Sequence, residues 1–350
     1  MAYSGVSKAG LFFNTILYSG TGSTQNITGV GFQPDLVWNK TRNASEDHAL
    51  VDSVRGVTKT LYPSDGAAEQ TRAAGLTAFG TDGYTVGDGT YFGQNSRNYV
   101  SWNWKAGTSV SGSTSGSGSY KSYTGSVNTT SGVSIISYTG NGTAGHTIPH
   151  HLGVTPKIVL VKRRSQGGQW VLGSTDLGFT KFLELDLTGA AQTSSVRFND
   201  TNPSSTVFTV GGTADTNQDG TTIVAFSFAE KTGFSKFGTF IGNGSTDGTF
   251  VYCGFKPALI IAKAHSSGGN WFMYDSKRPG YNNVQQFLEA DATAQEYTGN
   301  ASHSIDIVSN GFKFTGGSGS GTAGRQSIFL AWAEEPLVAN VGAGIPATAG

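Results

Sequence analysis

Several groups of residues in this chain have the types and spacing that chemistry uses. Phe182-Leu183-Glu184-Leu185-Asp186 and Phe287-Leu288-Glu289-Ala290-Asp291 align, each with two carboxylates at i and i+2. On a strand that spacing puts both on one face, about 6.5 to 7 Å apart, near the separation a glycoside hydrolase uses. Hydrolysis needs the two groups on opposite sides of a sugar, and neighbours on one strand are not so placed, so an ion pair or a solvated face is the better account. His146, His150 and His151 form the one histidine cluster. His146 and His150 share a strand face, and neutral imidazoles converging there, or gathered from three chains on a trimer axis, would suit a metal ion. Asp215-Thr216-Asn217-Gln218-Asp219-Gly220 reproduces the first half of a calcium loop, with Asp215, Asn217 and Asp219 as ligands. Position twelve of that loop is Phe226 rather than a bidentate glutamate, so a polar hairpin tip competes with a weak calcium site.

Other motifs look chemical and fail on context. Gly140-Asn141-Gly142-Thr143-Ala144-Gly145 matches a dinucleotide fingerprint. That fingerprint needs a following helix to present its amides to a pyrophosphate, and His146-Thr147-Ile148-Pro149 does not begin one. Lys40, Lys162 and Lys263 each end an apolar strand, and a lysine so placed is expected to partner Asp52 or Asp275; copy two offers Ser174 in their place. No nucleophile set with a local signature is present. The expectation is therefore a protein without catalytic residues or a cofactor.

The elements that must position these residues follow from composition and repetition. There are 51 glycines in 350 residues, about twice ordinary usage, which disfavours helix. Lys and Arg number 23 against 23 Asp and Glu, so the chain lacks the positive excess that nucleic-acid binding requires. The single Cys253 excludes an intramolecular disulfide framework. Met1-Ala2-Tyr3-Ser4-Gly5 shows no basic region before an apolar run, so no secretory signal is expected, and no apolar stretch reaches the ~20 residues of a membrane span.

A threefold repeat organises the chain. Each copy opens on a strand running into a Gly-x-Gly turn: Gly20/Gly22, Gly140/Gly142 and Gly242/Gly244. Pro34, Pro156 and Pro257 follow 14, 16 and 15 residues after the first glycine, and Lys40, Lys162 and Lys263 stand six residues past the proline. Fourteen past stand His48, Trp170 and Trp271, and eighteen past stand Asp52, Ser174 and Asp275. Each copy closes on an aromatic strand ending in Trp104, Phe228 or Trp332, which lie 70, 72 and 75 residues past the proline. Alternation puts Trp102 and Trp104, Phe226 and Phe228, or Leu330 and Trp332 on one face. Burying each such aromatic contributes several kcal/mol at ~25 cal/mol per Å² over roughly 150 to 250 Å².

The expected fold is all-β, with three tandem β-sandwich or jelly-roll-like domains. Their bounds are residues 1–107, 131–233 and 234–336, with a Gly/Ser/Thr-rich flexible linker over 108–130 and an Ala/Gly/Pro-rich tail over 337–350. In copy two, period-two patterning predicts strands near 133–138, 145–151, 157–163, 169–173, 181–186, 195–199, 206–210 and 221–229. Short helical turns are expected only over 67–73 and 285–294.

Gly31-Phe32-Gln33-Pro34-Asp35-Leu36-Val37-Trp38, Asp52-Ser53-Val54-Arg55-Gly56, Gly80-Thr81-Asp82-Gly83-Tyr84 and Tyr99-Val100-Ser101-Trp102-Asn103-Trp104-Lys105-Ala106-Gly107 together resemble a repeat module of virion structural proteins in tailed phages of marine bacteria, of the cyanophage and pelagiphage type. Copies two and three keep the proline, the lysine-ended strand and the closing aromatic strand but not the Trp-Asn-Trp. The resemblance implies a non-enzymatic virion component assembled in the host cytoplasm, in a tail fibre or receptor-contacting tail appendage. A capsid decoration protein is the alternative, and a polysaccharide-binding or depolymerising tailspike is a third. Expected partners are other virion proteins, further copies of the chain in a homo-oligomer such as a trimer, and a host surface glycan, with neither nucleic acid nor membrane. Loop tips at 95–99, 163–170 and 265–271 are the candidate contact surfaces, with Arg163, Arg164, Trp170, His265 and Trp271 as the residues to stack on or hydrogen-bond a sugar. The competing reading puts both tryptophans in the core.

Overall fold

The computed structural model describes residues 5, 6, 8–279 and 281–336; the tail expected over 337–350 lies outside them. The chain is nearly all β, and its sheets are antiparallel. Each copy builds one main sheet in the same order: opening strand, closing aromatic strand, lysine strand, fourth strand. In copy one these are Phe13–Ser19, Asn98–Trp104, Leu36–Thr41 and Ala49–Asp52. In copy two they are Val133–Thr139, Thr222–Phe228, Ile158–Arg163 and Val171–Ser174, and in copy three Ser235–Ile241, Gln326–Pro336, Phe255–Ala264 and Phe272–Asp275. Registers coincide as well. Phe13 pairs with Trp104, Val133 with Phe228 and Ser235 with Trp332.

A smaller sheet covers the outer face of each main sheet. In copy one it is Gln25–Ile27, Gly83–Val86 and Leu76–Gly80, and in copy three Phe250–Tyr252, Gly311–Phe314 and Ile305–Val308. In copy two, His146–Pro149 and Val207–Val210 are joined by Ser115–Gly116. Ile148, Phe208 and Val210 of that outer sheet pack on Ile136, Val159 and Ala225. The two-layer sandwich follows from the alternation, since each central strand has apolar residues to bury on both faces.

The inner faces of the three main sheets bury against one another, in one apolar cluster drawn from all three copies. Trp104, Phe228 and Trp332 meet there, with ring centroids 5.3 Å apart for Trp104 and Trp332, 5.4 Å for Phe228 and Trp332, and 6.4 Å for Trp104 and Phe228. They border an apolar cavity of about 30 Å³ shared by the copies, which also touches Leu36, Ile158 and Ile261. Such a cavity offers water no polar partner. The large aromatics of each copy thus complete the core of the other two.

Three local expectations change. Residues 108–130 are not a flexible linker. Thr108–Ser113 and Ser122–Asn128 form a hairpin that extends the main sheet of copy two beyond its opening strand, giving eight strands in all. An edge strand is held by backbone hydrogen bonds, so Tyr123, Val127 and Val110 supply enough apolar packing for a segment otherwise made of Ser, Thr and Gly. Residues 195–199, expected as strand, form the short helix Ser195–Phe198, ended by Asn199 at φ 54°. The helical turns expected at 67–73 and 285–294 are absent; Gln70–Thr71 and Leu288–Glu289 are short strands instead. Backbone N–H groups there bond across the structure, as Glu69 does to Arg164 O at 2.8 Å.

Candidate functional site

The polar residues that recur in the repeat meet at the three corners where one copy abuts the next. The residue fourteen past the proline crosses each corner. Trp170 Nε1 of copy two donates to Tyr62 O of copy one at 2.8 Å, and Trp271 Nε1 of copy three donates to Glu184 O of copy two at 2.9 Å. His48 of copy one lies 3.0 Å from Glu289 O of copy three through Nε2. Its Nδ1 accepts Trp38 Nε1–H at 2.9 Å, so Nε2 carries the proton and donates. Tyr62, Glu184 and Glu289 occupy the aligned position, so the three bonds close a ring within one chain.

The backbone repeats the pattern. Glu69 N–H donates to Arg164 O at 2.8 Å, Ala191 N–H to His265 O at 2.9 Å, and Glu296 N–H to Arg42 O at 2.8 Å. The lysines join in. Lys40 Nζ donates to Ala44 O and Thr293 O at 3.4 and 3.1 Å, and Lys162 Nζ to Gly66 O and Arg163 O at 3.1 and 3.0 Å. Lys263 Nζ donates to Gly269 O and lies 5.6 Å from the centroid of the Trp271 ring. All three are buried, and burial pulls each ammonium down to about 8. The lysine–aspartate pairing expected of Lys40 and Lys263 is therefore corrected: carbonyls at the corners take the lysines.

The aspartates pair with arginines instead. Asp52 binds Arg55, and Asp275 binds Arg278 at 2.6 Å. Glu69 then bridges Arg55 at 3.0 Å to Arg164 of copy two, which it holds in a bidentate pair at 2.9 and 3.0 Å. Glu296 bridges Arg278 at 3.2 Å to Arg42 of copy one at 2.8 Å. At the corner of copies two and three, the same positions are Ser174, Leu177, Ala191 and His265. Both members of each pair are missing there, so no buried charge is stranded. Burial pushes the Glu69 carboxyl up, but the hydrogen bond and charge of Arg164, with Arg55 beside it, bring it below its ordinary value. Glu69 and Glu296 escape sequence reading because they stand at unequal distances past their aspartates. Their signal was the joint loss of partners in copy two.

The remaining candidates find structural partners. Asp186 Oδ1 accepts Trp170 N–H at 3.0 Å and Asp291 Oδ1 accepts Trp271 N–H at 2.9 Å, while Ser64 Oγ accepts His48 N–H at 3.1 Å in copy one. Burial raises Asp186 to about 6 and Glu289 to about 7. The two carboxylate pairs thus have one member each turned inward as a cap for the corner. Asp215 is held by Arg197, Asn217 Nδ2 donates to Asn141 Oδ1 at 3.1 Å, and Asp219 reaches Lys121 at 3.0 Å. They do not converge, because Ala214–Asn217 is a helical turn that sends successive side chains in different directions. His150 uses both ring nitrogens, Nδ1 accepting Leu152 N–H at 3.2 Å and Nε2 facing Ser204 O at 3.3 Å. His146 Nδ1 lies 2.9 Å from Asn141 Nδ2. Among the described residues no three His, Cys, Asp or Glu side chains are grouped to hold a metal ion. The Gly-x-Gly segment is a turn into the strand His146–Pro149, and Gly140 packs so tightly that a Cβ would lie 2.3 Å from Gln218 O.

Trp170 and Trp271 are fully buried, which removes them from the glycan-contact surface expected of them. Arg164 is taken by Glu69, and Arg163 by Gln218 and Gly167 O. The His265 backbone is tied to Ala191 and Gln326, and burial lowers its ring below the ordinary histidine value. Exposed apolar residues lie elsewhere. Ile241, Phe250 and Tyr252 are solvent-exposed at one side of copy three. Phe250 and Tyr252 border a groove of about 370 Å³ that runs between the opening strand of copy three and Lys157 and Asp176 of copy two.

A family model described as a domain of unknown function, DUF7483, matches residues 8–336. The chain belongs to the DUF7483 family. The DUF7483 match takes in all three copies, the intervening hairpin and every corner described above. Neither the curated proteins nor the solved structures contain a match to this chain.

Proposed function

We propose that this DUF7483 chain is a non-enzymatic structural component of a tailed-phage virion, placed in a tail fibre or receptor-contacting appendage. The observation that carries the reading is the use made of the chemistry that recurs in the repeat. The recurring lysines, carboxylates and ring N–H groups are spent on locking one copy to the next, which suits a rigid building block. The motif resemblance of copy one supplies the virion context. Partners in this reading are other virion proteins, with a host surface glycan reached by loop tips other than the buried tryptophans. Gold-labelled antibody on intact particles tests it. Label at the tail is expected, label absent from particles would refute a virion role, and label over the head would move the protein to the capsid surface. That second reading is favoured by one feature: a pseudo-threefold body in one chain can sit on a threefold position without trimerising. Turnover of host glycan that is lost in Glu184→Gln or Glu289→Gln would establish the depolymerase reading against both.

A further inference from the structure

The opening strands of copies two and three are equivalent in register, yet only one has its outer edge covered. Val133 pairs with Phe228 as Ser235 pairs with Trp332, which makes Ile135 the counterpart of Phe237 and Ser137 that of Thr239. In copy two, Ser122–Asn128 lies along that edge, with Ser126 against Ile135 and Thr124 against Ser137. Ser115–Gly116 covers the matching edge of the outer sheet through Thr147 and His146. One segment thereby seals both layers of the copy-two sandwich.

In copy three both edges are bare among the described residues. Gly242 N–H bonds Arg325 O and Ala333 N–H bonds Phe234 O, so the even residues of Ser235–Ile241 face the closing strand and the odd ones turn N–H and C=O outward. Phe237 N–H meets Glu230 Oε2 at 3.4 Å and Ile241 O accepts Thr249 Oγ1–H at 2.7 Å, while Thr239 has no outward backbone partner. The groove of about 370 Å³ runs along this edge, floored by Phe237, Phe240, Phe250 and Tyr252. Its rim charges are already paired, Lys157 with Asp176 at 2.8 Å and Lys236 with Glu230 at 2.7 Å. A charged occupant would find no counter-ion.

We propose that the outer edge of Ser235–Ile241 docks an extended strand from another protein chain, uncharged and with apolar side chains at alternate positions. The covering strand of copy two is the template. Tyr123 and Val127 point between its two sheets while Ser122, Thr124 and Ser126 face away. An equivalent strand on copy three would place its apolar residues over Phe240, Phe250 and Tyr252 and gain main-chain bonds to Thr239, the strand-addition mode of peptide recognition. The inference stands whether or not the chain is a virion protein.

The test uses the full chain and a synthetic peptide of residues 122–128, with a scrambled peptide as control. Saturable binding of the native peptide is expected, with amide exchange at Thr239 and Ile241 slowed at least tenfold. Thr239→Pro, which removes an outward N–H and no bond to the closing strand, should weaken binding at least tenfold with an unchanged melting curve. Phe250→Ser should weaken it through the groove floor. Absence of binding at millimolar peptide, binding that leaves Thr239 exchange unchanged, or full affinity in Thr239→Pro would each overturn the proposal. Dimerisation of the chain alone through this edge, abolished by Thr239→Pro, would overturn it in favour of a second copy.

Discussion

Glu69 offers a decisive perturbation because its environment exists twice in charged form and once in neutral form. Its side chain accepts from Arg55 at 3.0 Å and from Arg164 at 2.9 and 3.0 Å. Glu69→Ala would leave the fully buried Arg55 with Asp52 as its remaining carboxylate, and Arg164, 17% exposed, with partial access to water. Breaking one side of a buried pair costs about 3 to 5 kcal/mol, and the access left to Arg164 puts this case at about 3. Now Asp52→Ser, Arg55→Leu, Glu69→Ala and Arg164→His made together give the corner the residues of its neutral counterpart, Ser174, Leu177, Ala191 and His265. The formal charge removed is zero and no ion is stranded, so the quadruple variant should lie within about 1 kcal/mol of the parent. Urea unfolding of parent, single and quadruple variants measures this directly. A quadruple variant no more stable than Glu69→Ala would refute the reasoning, as would a loss below about 1 kcal/mol in the single variant. Acid adds a second check. Glu69 sits below its unfolded value, so its contribution is present above about pH 4.5 and lost as pH falls through the folded value. Glu69→Ala should unfold less steeply in acid than the parent.

Other outcomes follow from the same geometry. Lys40, Lys162 and Lys263 sit at about 8 in the folded chain against ~10.4 unfolded, so between pH 8 and 10 the unfolded state binds more protons and stability should rise with pH. Lys162→Met should remove about a third of that rise in unfolding free energy. Asp186, raised to about 6, contributes stability below its unfolded value that is lost as pH climbs from about 4 to 6. Asp186→Asn keeps an acceptor for Trp170 N–H and should flatten that part of the pH–stability curve. Gly140→Ala drives a Cβ into the Gln218 carbonyl and should cost about 2 to 3 kcal/mol in urea unfolding. Trp170→Phe removes the donor that Tyr62 O uses across the corner and should cost about 1 to 3 kcal/mol, with the ring packing otherwise kept.

Much of the architecture was legible in the sequence because it repeats. A turn used three times needs the same glycines three times, and Gly22, Gly142 and Gly244 each adopt φ 71°, a left-handed conformation that favours glycine. Period-two alternation located the closing strands, and the spacing from proline to lysine located the lysine strands. These signals are local, since strand identity and turn chemistry depend on neighbours along the chain. The covering hairpin leaves no such local signal: an edge strand held by backbone bonds carries almost no apolar pattern, and Thr108–Ser113 shows little but Ser, Thr and Gly.

Tertiary structure alone decided which faces meet. The pattern of Trp102 and Trp104 demands burial but does not say against what, and the answer lies more than a hundred residues away in Phe228 and Trp332. Likewise Trp170 carried an N–H that any buried acceptor would satisfy, and closure of the ring assigned it Tyr62 O. Lys40 was marked by its spacing as important, yet whether it met a carboxylate or a carbonyl depended on a loop contributed by copy three. Local sequence thus determined most of the strands and the repeated glycine turns. The common core, the corner networks and the uncovered edge of copy three arise from packing between distant segments, because desolvation acts on whatever surfaces the folded chain brings together.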